Sequence, residues 1–491
     1  MNVDDLVTIS PLIACVLTAC GVLVADLIAP GRTRVAIAIA FGGLVVVAAA
    51  VLLVASSGGE VSAFGGAYTV DGITTFLDVV FIATIGLTIA FAPDYLVPRD
   101  LPMPEFTTIL LFALTGAMLI AGSTDLLLLF LALELMVLPG YMLAGFAKRD
   151  ALATEGAIKY FLLGSFSSAI FLFGLAFTWG LSGTTRVTGV TDALTTFAAG
   201  GGISIGLAMG LAFLTTGVAF KIAAVPFHYW TPDAYQGSPT PVTGYLSVGP
   251  KVGAFALIIR LFAEALAPLA ADWLPVFIGL AIVTMTLGNL VALTQDNVKR
   301  MLAYSSIAHT GYMLVGLAAY ASGEMAGLEG LLLYSLVYAF MNLGAFAVVA
   351  ALQKRRGVTA SLSTFAGLGR REPWLGLLMT LFLLSLTGIP PTAGFFAKAY
   401  IILAAVESAD PWVNLLAVIA VVNAAAAAFY YLRVVRQMYM EEPVADQVPL
   451  PHGRLVWAGL AITSVFTAFF FIFTGPVFDS IQRAAQALAI T

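Results

Sequence analysis

Read for its apolar and polar positions, the chain is a succession of long apolar runs separated by short polar connections. A helix needs about 20 apolar residues to cross roughly 30 Å of hydrocarbon. Fourteen stretches approach that length: 6–28, 34–55, 72–92, 105–122, 124–146, 155–180, 203–226, 240–266, 273–294, 300–322, 327–352, 373–404, 411–438 and 453–475. The expected fold class is therefore an all-α polytopic membrane protein of about fourteen transmembrane helices. Helices 105–122 and 124–146 must turn at Gly122-Ser123-Thr124-Asp125, a helix stop followed by an N-cap. Two runs carry their own interruption. One reaches Lys221 and meets Pro226 five residues later, and the other is broken at Thr387-Gly388-Ile389-Pro390-Pro391-Thr392.

The first interruption organises the rest. After Pro226 the chain passes through His228, Trp230 and Pro232, and a further apolar helix then carries Lys251 in its interior. Proline removes a backbone donor and disrupts the helix. Broken membrane helices persist only where protein or a water-filled cavity receives the freed polar groups. An ionised lysine near the bilayer centre costs roughly 2.5–3.5 kcal/mol on insertion scales. Two such amines beside a helix break point to a hydrated polar path, although a lysine near a helix end can also extend its stem to the interface.

Composition agrees: 60% of the residues are hydrophobic and 10% charged, with mean hydropathy +1.00, against about 25% charged residues in soluble domains. No phosphate-binding glycine loop, zinc spacing or basic run for nucleic acid is present. Cys15 and Cys20 are expected to be small core residues of the first helix, not a disulfide or metal pair. The start, Met1-Asn2-Val3-Asp4-Asp5, lacks the positive region of a cleaved signal peptide, so the first helix is expected to remain.

The net charge of −5 says little about partners, because the charges are sorted by side. Connections after odd-numbered helices hold Arg32, Arg34, Arg99, Lys148, Arg149, Lys299, Arg300, Lys354, Arg355, Arg356, Arg370 and Arg371, and Arg433, Arg436 and Arg454 flank the connection after the thirteenth helix. The other side has Arg186 and Arg483. By the positive-inside rule the first group faces the cytoplasm and both termini face outward. Lys159, Lys221, Lys251, Arg260 and Lys398 remain inside helices, Arg260 close enough to an end to reach the interface.

An internal repeat is visible. TEGAIKYFLLGSFSSAIFLFG aligns with LEGLLLYSLVYAFMNLGAFAV, which superposes Glu155 on Glu329, Gly156 on Gly330 and Tyr160 on Tyr334. A similar offset brings Glu134 against His309 and Lys221 close to Lys398. The units are helices 4–8 and 9–13, and five helices per unit makes the second enter from the opposite side. Two inverted repeats, each with a broken helix, place a transport site near the midplane. The expected domains are residues 1–100 (three helices), 101–268 (first repeat), 269–440 (second repeat) and 441–491 (the last helix).

Glu134 lies about midway along its helix in LLLLFLALELMVLPGYML, where a carboxylate needs a cation or a proton. Lys159, on the next helix, is the expected partner; at about 6 Å the attraction is roughly 2–3 kcal/mol. Such a pair could gate Lys221 or simply tie two helices together. Lys221, Lys251 and Lys398 read as stepping stones, because desolvation moves an amine toward neutrality. His309, in AYSSIAHTGYMLVG with Ser305, Ser306, Thr310 and Tyr312 nearby, is a natural intermediate. His228 fits equally well as an intermediate or as a helix-end hydrogen-bond donor, and His452 falls in a connection with no assigned role.

These segments resemble a known family. LALEL with Glu134, TEGAIKYFLLGSFSSA with Lys159, FKIAAVPFHYWTPDAYQGSPTPVTGYLSVGPKVGAF, VKRMLAYSSIAHTGYMLVG and SLTGIPPTAGFFAKAY with Lys398 look like the antiporter-like membrane subunits of proton-pumping NADH:quinone oxidoreductase (respiratory complex I), most closely the subunit N branch. The resemblance covers helices 4–13. It implies a proton channel in which Glu134 and Lys159 form a modulating pair, Lys221 is central, Lys251 connects, His309 is the polar position of helix 10 and Lys398 lies toward the exit. Glu155 and His228 are candidates for proton access, and Pro226, Pro390 and Pro391 for the helix breaks. Lys398 stands where the sister subunit M usually carries Glu, and Leu333 occupies the repeat position matching Lys159. The resemblance further implies no cofactor in this chain, with NADH, FMN, iron–sulfur clusters and quinone in partner subunits. The expected partners are other membrane-arm subunits, including neighbouring antiporter-like ones, and the lipid bilayer, with no nucleic acid. The expected location is the bacterial plasma membrane. A subunit of a multi-subunit sodium/proton antiporter and an autonomous solute transporter remain as alternatives.

Overall fold

The structure is a computed structural model that describes residues 2–57, 59–199, 204–443 and 451–489. Its helices in chain order are α1 (Val3–Thr8), α2 (Ser10–Ile28), α3 (Thr33–Ala55), α4 (Gly72–Leu96), α5 (Met103–Gly122), α6 (Leu126–Ala144), α7 (Ala151–Ser182) and α8 (Val187–Ala199). They continue with α9 (Ile205–Lys221), α10 (Trp230–Gly237), α11 (Thr240–Ile258), α12 (Ala270–Ala292), α13 (Val298–Ala321) and α14 (Met325–Leu352). The last are α15 (Leu368–Arg371), α16 (Pro373–Thr387), α17 (Ala393–Glu407), α18 (Pro411–Met440), α19 (Arg454–Ala468) and α20 (Phe470–Ala489). A small antiparallel hairpin, β1 (Val61–Ala63) with β2 (Tyr68–Val70), pairs Val61 with Val70 between α3 and α4.

Polar residues at the ends of apolar runs set the starts. Asp71, Asp125, Asp150, Ser204, Asn297 and Asp410 each accept a backbone N–H of the first turn of the helix that follows. Such caps are worth about 1 kcal/mol each. Among the described residues ten helices are long and apolar enough to cross a membrane, or eleven if α19 and α20 form one bent span. Four predicted spans depart from a straight apolar helix. The described part of 203–226, from residue 204, forms the 17-residue α9 followed by a break. Residues 300–322 form α13, whose Lys299, Arg300 and His309 lower its hydropathy. Residues 373–404 divide into α16 and α17, of 15 residues each. The expected last helix, 453–475, is not straight: it bends by 83° between α19 and α20.

The interior of the bundle is α11, buried at every residue, with α13 and α14 beside it. Peripheral helices turn apolar side chains outward, among them Leu53, Phe166 and Phe429, each about 70% exposed in the bare chain. In water such a surface would be untenable, and it is what a multi-pass membrane protein presents to lipid. Cys15 is buried and donates to the carbonyl of Leu111, but Cys20 is exposed and is not a core residue. Arg260 does not extend to the protein surface. It is 2% exposed in a π-helical turn after α11, and its guanidinium meets Asp71 at 2.7 Å and Glu264 at 3.2 Å.

Both ends of the described chain lie at the hairpin end of the bundle. Asp5 accepts the backbone N–H of Phe64, and the backbone of α20 at Arg483 packs on Gly72. Basic residues gather at the opposite end. Arg99 donates to the carbonyl of Gln353, Arg356 pairs with Asp100, and Lys354 meets Asp94 at 3.2 Å. There His452 lies 3.4 Å from both Asp94 and Glu372.

Candidate functional site

The site forms where two helices break. α9 ends with the N–H of Ala224 on the carbonyl of Ala219 and that of Ala223 on Phe220. Ala223 is in the left-handed region at φ 58°. α16 ends the same way, with the N–H of Ile389 on the carbonyl of Leu384 and Gly388 at φ 90°. This 6→1 pattern with a left-handed residue terminates helices generally; within a membrane it exposes carbonyls that must find donors. At the first break Trp230 donates to the carbonyl of Phe220 and Thr310 to that of Ile222, while the N–H of Val225 reaches Thr284. At the second, the ammonium of Lys398 donates to the carbonyls of Leu386 (2.8 Å) and Thr387 (3.0 Å). The negative end of a helix dipole favours a cation there. Lys221 occupies the last turn of α9 itself. Pro226, Pro390 and Pro391 lie between the helix segments at these two breaks.

Glu134 (α6) does not pair with Lys159. Its Oε1 lies 3.8 Å from Nζ of Lys221 and accepts a 2.5 Å hydrogen bond from Ser168 of α7, whose oxygen in turn accepts from Lys221 at 2.7 Å. Lys159 points elsewhere, to Glu155 at 2.6 Å and Asp233 at 2.7 Å, and its side chain is 43% exposed. The physical reason lies in α7: Lys159 and Ser168 are nine residues, or 2.5 turns, apart, so they leave opposite sides of the helix. Asp233 (α10) also holds Arg300 (α13) at 2.7 Å, and a 600 Å³ cleft opens beside Lys159 and Glu155 at the basic end.

From Lys221 the polar contacts continue inward. Lys251 (α11) donates to the carbonyl of Ser306 at 2.5 Å and to Thr310 at 3.1 Å, the same Thr310 that caps the first break. Tyr338 donates to the hydroxyl of Ser306 at 2.8 Å, and its ring centroid lies 5.1 Å from that of His309. Nδ1 of His309 meets Tyr334 at 2.6 Å and Nε2 meets Tyr431 at 3.2 Å, and Tyr431 bonds Ser305 in turn. The ammonium of Lys398 lies 4.6 Å above the ring of Tyr312, which faces both His309 and Tyr334. Beyond Lys398, Tyr400 donates to Glu329. Among the described residues no carboxylate lies within 4.0 Å of Lys251 or Lys398; a carbonyl and a hydroxyl receive Lys251, and two carbonyls and the Tyr312 ring receive Lys398.

Of the residues named from the sequence, Glu134, Lys221, Lys251, His309 and Lys398 join this row, and Lys159 and Glu155 form a separate group at the basic end. His228 is buried in the first break between Tyr229 and Tyr304. The sequence assigns no role to Ser168, Asp233, Tyr338 and Tyr431, and marks Tyr334 only as a position of the repeat. A hydroxyl in an apolar helix is too common a feature to mark one, but Asp233 beside a proline-rich break carried a signal. Among the described residues no cluster of three or more His, Cys, Asp or Glu side chains suits a metal ion. A cavity of about 920 Å³ between α3, α4 and α20 at the hairpin end contains none of these lysines.

The decisive comparison concerns residues 123–423, which contain Glu134, Ser168, Lys221, Lys251, His309 and Lys398 and match the family described as NADH:quinone oxidoreductase/Mrp antiporter, TM. The chain belongs to that family. A protein of Trichlorobacter lovleyi named NADH-quinone oxidoreductase subunit N is 44% identical over 384 residues, 78% of this chain and 77% of the relative. One of the same name from Chloroflexus aggregans is 40% identical over 487 residues, 99% of this chain and 98% of its own. Among solved structures, a chain of respiratory complex I from Thermus thermophilus with bound Aureothin is 29% identical with TM-score 0.76, covering 96% of this chain and 99% of that one. A chain of the Mrp complex from Dietzia, at 23% identity, has TM-score 0.85 over 99% and 98% of the two chains. That likeness is one of fold.

Proposed function

We propose that this family member is a membrane-arm subunit of a proton-translocating NADH:quinone oxidoreductase. It moves protons along Glu134, Lys221, Lys251, His309 and Lys398, driven by electron transfer in partner subunits that hold the NADH, flavin, iron–sulfur and quinone sites. The observation that carries this reading is the row itself: charged and hydroxyl groups from α6, α7, α9, α11, α13, α14 and α17 meet along the interior of an apolar bundle. Groups that accept and release protons, spaced by hydrogen-bonding side chains, can pass a proton stepwise. Lys159, Glu155, Asp233 and Arg300 guard the cytoplasmic approach, with His228 in the break beyond them.

The same reading takes the broken α9–α10 and α16–α17, α13, and the bent α19–α20 as membrane-crossing segments, for fourteen in all. It also takes residues 101–268 and 269–440 as inverted repeats between an N-terminal unit, 1–100, and a C-terminal unit, 441–491. Support comes from the matching helix ends at Ala223 and Gly388, each beside a buried lysine, and from Glu155 and Glu329 each holding a polar side chain. The basic end then faces the cytoplasm of a bacterium, and both termini face outward. Neighbouring antiporter-like subunits are the expected contacts in the membrane.

A sodium/proton antiporter subunit is the second reading, favoured by the family's description, which names the Mrp antiporter beside the oxidoreductase. Purification of the tagged chain in mild detergent separates them. Flavin, iron and quinone reductase activity should accompany it, and their absence with antiporter subunits present would overturn the proposal. In the same complex Lys221→Ala should assemble but lose proton pumping, and Lys221→Arg should fail too, because a guanidinium does not release its proton. Full pumping with arginine would show that a fixed charge suffices.

A further inference from the structure

We infer that Ser168 is a hydroxyl relay that carries the proton between Lys221 and Glu134. This rests on the proton path proposed above and adds a residue to it.

The two charged groups are 3.8 Å apart, beyond hydrogen-bond reach, while Ser168 touches both, accepting from Lys221 at 2.7 Å and donating to Glu134 at 2.5 Å. A hydroxyl has one proton to donate and two lone pairs to accept with. With Lys221 donating to it, the Ser168 proton is committed to the carboxylate, so the three groups form one directed chain. Transfer along it breaks Nζ–H of Lys221 and forms Oγ–H, as the original Oγ–H breaks and Oε1–H of Glu134 forms. An ammonium and a carboxylate become an amine and a carboxylic acid, serine is unchanged, and no atom or electron is gained or lost. The reverse step restores the ion pair.

This geometry is not the default for a helical hydroxyl. Serine and threonine inside helices ordinarily donate to the carbonyl four residues earlier. Thr84, Thr88, Thr115, Thr178 and Ser335 all do so in this protein. Ser168, 6% exposed, gives that bond up for the carboxylate. The packing brings three helices close enough for it. A side chain at Gly164, one turn before Ser168, would lie 2.0 Å from the Tyr141 hydroxyl of α6. One at Gly217, one turn before Lys221, would lie 2.5 Å from Phe171 of α7.

The test compares Ser168→Ala, Ser168→Thr and Ser168→Gly in the whole complex, with initial pumping rates in inverted vesicles measured at matched complex content. Alanine should lower pumping at least about ten-fold, while threonine, which keeps the hydroxyl, should retain about half or more. Glycine should exceed alanine, because removing the whole side chain opens space of about one water, roughly 30 Å³, between two polar partners. A packing role predicts the opposite order, since glycine in a helix costs about 1 kcal/mol more than alanine. Wild-type pumping by the alanine variant, or glycine below alanine, would overturn the relay. Should alanine fail to assemble, Ser168→Val, which has the shape of threonine without its hydroxyl, replaces it, and a valine variant pumping at the wild-type rate overturns the relay equally. Lys221→Ala in the same assay separates the two levels: if it pumps normally the path itself is wrong, and if it fails while Ser168→Ala is normal only the relay is wrong.

Discussion

The pairing of Glu134 with Lys221, in place of Lys159, gives a quantitative test. At 3.8 Å and an effective dielectric near 20, the attraction is about 4 kcal/mol. Glu134 keeps a quarter of its side chain exposed, which reduces the expected coupling to roughly 2–4 kcal/mol. Glu134→Gln leaves a buried ammonium with no counter-charge, and Lys221→Gln leaves a carboxylate in the same position. The double mutant leaves neither, so its loss should be smaller than the two single losses combined. A coupling of about 2 kcal/mol corresponds to roughly 30-fold in rate. The assay is the initial pumping rate in inverted vesicles for wild type, both singles and the double, with Glu134→Gln/Lys159→Gln as the parallel cycle. Lys159 is held by Glu155 and Asp233, so its cycle with Glu134 should be additive within about 0.5 kcal/mol. Additivity for Lys221 together with strong coupling for Lys159 would refute this assignment of partners.

Three further outcomes follow from the same geometry. Asp233→Asn removes the carboxylate shared by Lys159 and Arg300 and should slow pumping while leaving quinone reduction by the assembled complex measurable; unchanged pumping would remove the cluster from the access route. Burial alone would lower the pKa of His452, but Asp94 and Glu372 outweigh it and raise it from 6.5 to about 9. Its raised value means that its stabilisation, at most about 3 kcal/mol, is complete below pH 6.5 and is lost as pH rises through 9. His452→Ala should therefore speed thermal dissociation of the purified complex at pH 6 and make little difference at pH 10; an equal effect at both would deny the ionic contribution. For topology, cysteines at Thr196 and Thr359, both exposed, should react with an impermeant thiol reagent from outside intact cells at the first position only, and the reverse result would invert the orientation.

What the linear chain determined is what depends on composition over a helical turn or more. Apolar runs of spanning length, the prolines within two of them and the sorting of Lys and Arg between connections need no knowledge of packing. Lys221, Lys251, His309 and Lys398 could be picked out because a polar side chain in an apolar run carries a desolvation cost whatever it contacts. The 83° bend at Phe469, the β1–β2 hairpin and the burial of Arg260 between Asp71 and Glu264 were beyond such reading, since each is made by distant segments meeting. The partner of Glu134 is the clearest case. Adjacency of helices 5 and 6 in sequence favoured Lys159, but an ion pair depends on which side of each helix a residue leaves and how closely the backbones approach. Gly164 and Gly217 let α6, α7 and α9 close together, and the nine-residue offset from Lys159 turns Ser168 toward Glu134 and Lys159 toward Asp233. Hydrogen bonds act over a few tenths of an ångström, a scale at which helix rotation and tilt, set by the whole bundle, decide the contact.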